Sequence, residues 1–91
     1  MGEPKSILLL GRGDHAEAMR VAAGLTIFGH KVRLVLMNGP LADTTENARA
    51  AELMELSDIT PETTVAGQGL AYLDATGLSM AMLEADAVVS L

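Results

Sequence analysis

The segment KSILLLGRGDHAEAMRVAAGLTIFGHKVRLVLM, Lys5 to Met37, decides the fold. Lys5–Leu10 is a continuous apolar run of strand length, the pattern of a strand covered on both faces. Gly11–Asp14 interrupts it. Asp14 followed by Glu17 is then a helix start, with an acid at the cap and another in the positively polarised first turn. The helix is expected over His15–Phe28: Glu17, Arg20 and Gly24 share one polar face, and Ala16, Met19, Ala22, Ala23 and Ile27 form a broad apolar side. Glu17 and Arg20 are spaced to pair, and Gly29 supplies the stop. Lys31–Met37, rich in Val and Leu, is a second strand ended by Asn38-Gly39-Pro40. Strand, helix and strand with short connections make a βαβ unit, which implies parallel strands and a right-handed crossover.

Downstream the alternation continues. A second amphipathic helix is expected over Thr44–Leu56, with Asp43 and Glu46 repeating the capping arrangement. In it Glu46, Arg49, Glu52 and Glu55 face water, and Ala48, Ala51, Leu53, Met54 and Leu56 face inward. Thr63–Ala66 reads as a short third strand and Gly67–Gly69 as a turn. Leu70–Ala75 reads as helix with Gly77 ending it, Ser79–Glu84 as further helical turns, and Ala85–Leu91 as a closing strand. The expected fold is one α/β domain over residues 1–91: a three-layer α/β/α sandwich with a mostly parallel sheet of about four to five strands.

The composition narrows the function classes. Without cysteine, disulfides, thiolate metal sites and thiol catalysis are excluded. A net charge of −6, with six scattered basic residues, argues against nucleic acid and anionic membranes, both of which call for clustered Lys and Arg. No apolar segment reaches spanning length and no signal peptide is recognisable, so a cytoplasmic protein is expected. With one Phe, one Tyr and no Trp, the core must come from aliphatics and methionine. Met80, Met82, Ile27 and Phe28 each suit core packing singly; as a set they exceed what one small sheet covers and suit a subunit interface.

Gly11-Arg12-Gly13-Asp14-His15-Ala16 also fits G-x-G-x-x-[GA], the fingerprint that seats a dinucleotide pyrophosphate on a helix N-terminus. The strand before it and the helix after it suit that role. Against it, the end of the second strand holds Met37, Asn38 and Gly39 where an acid should meet the ribose hydroxyls, and Asp14 adds negative charge beside the pyrophosphate. The residues therefore favour a tight, capped turn, with a small anion held by Arg12 or a nucleotide as the other readings. Ligands of parallel α/β sheets collect at the carboxyl ends of the strands. There the candidate binding residues are Arg12, Gly13, Asp14, His15, Asn38 and Gln68, and the competing reading makes each an ordinary loop residue. His15 and His30 fall at opposite ends of one helix and cannot share a metal. No catalytic constellation, cofactor or metal site can be argued.

Ala18–Ala42, with its Ala-rich helix, Gly29-His30 turn and Val/Leu strand ending in a polar loop, resembles the DsrE/DsrF family of sulfur-relay proteins. Gly69–Leu78, with its "-GL" ending, and Leu83–Leu91 resemble the family's third-loop helix and final strand. The resemblance implies a flavodoxin-like sandwich, assembly into homo- or hetero-oligomers, and a role in passing persulfide sulfur between carrier proteins. Sulfur-carrying members place a cysteine in the loop after the third strand. The matching stretch here, Val65–Ala71, has none, so this chain cannot carry persulfide by that chemistry. Some subunits of such complexes lack the thiol and act as partners. The expected function is thus a non-catalytic oligomeric or partner subunit, with a sulfur-carrier protein as a possible partner; the alternative is a small nucleotide- or anion-binding domain using Gly11 and Gly13.

Overall fold

A computed structural model describes residues 5–39, 42–65, 67 and 70–91. Among these residues eight elements follow one another: β1 (Ser6–Gly11), α1 (His15–Ile27), β2 (Lys31–Leu36), α2 (Thr45–Leu56), β3 (Glu62–Thr63), β4 (Ala71–Tyr72), α3 (Ala75–Glu84) and β5 (Ala87–Ser90). All four strand pairings are parallel, in the order β4-β3-β2-β1-β5. From β1 to β4 the chain steps outward in one direction, then α3 carries it back across to the far side of β1. Because such crossovers keep one hand, reversing the direction moves the connecting helix to the opposite face.

The two faces have separate cores. Leu9, Leu34 and Leu36 pack with Ala16, Ala18, Met19 and Ala22 of α1 and with Ala50 and Met54 of α2. On the other face Leu8, Leu10 and Val35 pack with Ala81 of α3. In-register neighbours such as Leu9↔Leu34 and Leu10↔Val35 share a face, which is why the apolar run of β1 feeds both cores. The protein is a three-layer α/β/α sandwich of flavodoxin-like layering. Its likeness lies in those layers, since flavodoxin itself winds its strands 2-1-3-4-5. No helix among the described residues is long and apolar enough to cross a membrane.

Several local expectations need correction. Of the expected helix Leu70–Ala75 only Ala75 is helical: Ala71 and Tyr72 form β4, and α3 starts at Ala75 and runs through Gly77 instead of stopping there. The Asp74 carboxylate accepts from the Gly77 amide at 2.7 Å, so Gly77 sits in the first turn. Leu73 and Leu78 flank that cap and pack on the same core, a hydrophobic staple. A Cβ on Gly77 would lie 2.7 Å from Leu73 Cδ1, so this glycine makes room for the staple.

In α2 the cap is Thr44, not Asp43; its Oγ1 accepts from the Asn47 amide at 3.1 Å. Of that helix's expected inward residues only Met54 is fully buried; Ala50 joins it, and Leu53 and Leu56 are exposed. The Ala50–Met54 stripe is the one that meets the alanines of α1. Ile27, also expected inward, lies at the end of α1 and is exposed. β3 stops at Thr63, whose hydroxyl accepts from the Val65 amide at 3.0 Å and turns the chain. Ala66, the expected end of that strand, lies outside the described residues.

Candidate functional site

The carboxyl ends of β1 and β2 open into a crevice of about 380 Å³. Gly13, Asp14 and His15 form one wall, Asn38 stands between, and Thr44, Glu46 and Asn47 form the other. The N-termini of α1 and α2 both face it. Four of the residues expected at a ligand site therefore converge as the sheet topology dictates. Arg12 does not line the crevice, and Gln68 lies outside the described residues.

The polar side chains of this crevice other than Glu46 are engaged in holding the chain together. Asp14 Oδ1 accepts from the Glu17 amide at 3.1 Å, capping α1 as the sequence indicates, and Glu17 pairs with Arg20 at 3.0 Å. His15 Nε2 lies 2.9 Å from the Met37 carbonyl oxygen. A carbonyl only accepts, so Nε2 carries the proton, and in the neutral ring Nδ1 is left as an acceptor. Asn38 adopts a left-handed backbone, φ 64°, and its Nδ2 donates to the Arg12 carbonyl at 2.9 Å. Asparagine tolerates that conformation better than other non-glycine residues. Asn47 Nδ2 donates to the Ala42 carbonyl at 2.8 Å. Two carboxylates, Asp14 and Glu46, also stand on the walls and oppose the positive ends of the helix dipoles.

The glycine loop resolves at atomic level. The backbone amides of Arg12 and Gly13 donate to the Leu91 carbonyl, at 2.8 and 3.1 Å. In a phosphate-binding loop such amides point at the anion; here the end of the chain's own β5 segment takes them. Gly11 has a different reason to be glycine. A Cβ there would lie 2.9 Å from Ala18 Cβ and 3.2 Å from Leu36 Cδ2, so the missing side chain lets α1 lie close against β1 and β2. That is the helix–strand packing role of the fingerprint's last glycine.

At the opposite, amino end of the sheet a groove of about 220 Å³ lies between β1, β2 and the end of α3. Sequence reasoning did not single it out. Arg33 on its wall makes a two-pronged ion pair with Glu62, Nε to Oε1 at 2.5 Å and Nη2 to Oε2 at 2.9 Å. The hydrogen bond to Glu62 holds the guanidinium above its ordinary pKa, with burial opposing and the Glu62 and Glu84 charges adding. The visible signal was Lys31 and Arg33 alternating with valine in β2; the pairing itself depends on the β2–β3 register. His30 Nδ1 accepts from the Lys5 amide at 3.2 Å, a joint at the far end of α1 from His15. Among the described residues no three His, Asp or Glu side chains gather to hold a metal ion.

Comparison with protein-family models, with curated proteins and with solved structures finds no match to the chain.

Proposed function

We propose that this chain is a non-catalytic partner subunit of DsrE/DsrF-like kind, which acts in the cytoplasm by assembling with related subunits or with a sulfur-carrier protein. The observation that carries the reading is the surface of α3. Of its ten residues only Ala81 is fully buried, and no charge falls between Asp74 and Glu84. Met80 is 56% and Leu83 86% exposed. An apolar helix that buries one alanine has most of its hydrophobic surface still to cover. Two further observations support the same reading. The chain has no thiol on which a persulfide could form. The side chains of the crevice hold backbone groups, as structural residues do.

Native mass spectrometry tests the proposal. The expected result is a discrete oligomer without nucleotide mass, unchanged in mass after polysulfide treatment and dissociated by the Met80→Glu/Leu83→Glu pair at unchanged circular dichroism. A monomer carrying a nucleotide overturns it. One observation favours that second reading, a small nucleotide or anion at Gly11–Gly13: two helix N-termini open into one polar crevice. In that case Gly13→Asp abolishes a ligand-dependent rise in melting temperature.

A further inference from the structure

β5 is the outermost strand beyond β1. Alternate backbone amides and carbonyls of such an edge point away from the sheet and offer a template for another strand. Soluble proteins commonly blunt this template with lysine, proline, a bulge or a very short strand. The opposite edge, β4, is only two residues long. β5 reads Ala87-Val88-Val89-Ser90, with no charge and no proline. Val88 is 40% and Val89 36% exposed.

The register says what could cover both valines. Val88 lies beside Leu8, on the α3 face, and Val89 beside Leu9, on the α1 face. A partner laid against one helix layer reaches only one of them. A strand added at the edge reaches both and also satisfies the outward backbone groups.

We infer that the added strand is β5 of a second copy, paired antiparallel about a two-fold axis that runs perpendicular to the sheet, midway between the two copies of Val88. The inference rests on the subunit reading for self-association but uses a surface separate from the exposed face of α3. Such an axis keeps each face of the sheet on its own side, so opposed residues must share a face. Val88 then meets its own copy, Ala87 faces Val89, and Asp86 faces Ser90. Like charges directly opposed across strands destabilise a pair. Although the chain carries a net charge of −6, the acid beside this edge meets a hydroxyl and not another acid. An isologous contact needs such a self-complementary surface. The two five-stranded sheets become one continuous sheet.

The absence of cysteine makes the test clean. Val88→Cys places one thiol from each copy beside the axis. Directly opposed residues of an antiparallel pair have Cα atoms about 4.5–5.5 Å apart, inside the range of about 4.4–6.8 Å that a disulfide spans. With oxidised glutathione as the oxidant, leaving as two reduced molecules, Val88→Cys should convert to a covalent dimer that thiol reductant reverses. Glu52→Cys, on the exposed side of α2, should stay monomeric on the same denaturing gel. Val89→Lys, which charges the edge at an exposed position, should lower the number of subunits seen in native mass spectrometry at unchanged circular dichroism. If Val88→Cys forms no more covalent dimer than Glu52→Cys while the unmodified chain is still oligomeric, the copies meet elsewhere: the edge inference falls and the subunit proposal stands. If the unmodified chain is monomeric, both fall.

Discussion

Replacing Gly11 by alanine isolates what this glycine does. The new Cβ would sit 2.9 Å from Ala18 Cβ, 3.2 Å from Leu36 Cδ2 and 3.7 Å from the Val35 carbonyl oxygen. Leu36 can rotate, but Ala18 has no rotamer to change, so relief requires α1 to move outward by several tenths of an ångström. That movement loosens Ala16, Met19 and Ala22, all buried against the sheet. Overpacking of a core by one methyl costs about 1–3 kcal/mol. Taking about 2 kcal/mol, and roughly 4–8 °C per kcal/mol for a domain of this size, the melting temperature should fall by roughly 8–16 °C.

Gly13→Ala is the matched control. Its nearest neighbour would be the Leu91 carbonyl at 3.9 Å, and its φ lies outside the left-handed region. The expected change is therefore within about 0.5 kcal/mol, or a small gain from a stiffer unfolded chain. The double variant Gly11→Ala/Ala18→Gly removes the clash and should recover part of the loss, limited by the cost of about 1 kcal/mol for glycine inside a helix. Thermal unfolding followed by circular dichroism at one fixed protein concentration reads all three. The packing argument is refuted if Gly11→Ala melts with the parent, or if Gly13→Ala is the more damaging of the two.

Two further outcomes follow from the same geometry. Thr44→Ala should cost about 1 kcal/mol in urea unfolding through loss of the α2 cap, and Asp43→Ala should cost nothing measurable; the reverse order would return the cap to Asp43. Asn38→Ala loses the bond to Arg12 and retains the left-handed backbone without an asparagine, for about 2–3 kcal/mol. Asn38→Gly loses only the bond, about 1 kcal/mol, and an alanine variant as stable as the glycine variant would contradict the backbone argument.

The first half of the fold was legible because β1, α1 and β2 each carry a full period of their pattern and a cap or stop that agrees with it. Asp14, the Glu17–Arg20 pair and Gly29, with φ 88°, stand where the sequence placed them. Legibility failed where elements become too short to show a period. β3 and β4 have two residues each and are specified by pairing with β2 and with one another. Gly77 misled because glycine more often ends a helix than begins one; the decisive signal was the Leu73–Asp74 pair with Leu78 following, a staple and not a stop. The crevice was legible in outline, since parallel strands deliver their following loops to one end. That most of its polar groups are turned upon the chain itself was not, because the contact between Leu91 and the Arg12–Gly13 amides joins segments far apart in the sequence.

That contact sets the relation between the competing functions. An anion can take the Arg12 and Gly13 amides only by displacing the Leu91 carbonyl, which means releasing the end of the β5 segment from β1. The Leu91 amide is itself bonded to the Leu10 carbonyl at 2.9 Å, so this end is tied on both sides. Whatever holds β5 in place therefore opposes an anion at the glycine loop, and a second strand on its outer edge would do so most directly. Linkage makes the opposition mutual: a ligand that frees Leu91 weakens edge pairing by the same factor that edge pairing weakens the ligand. A loop that looks like a nucleotide fingerprint and an unprotected edge strand are thus not two independent features of this chain. The second occupies the donors that the first would need.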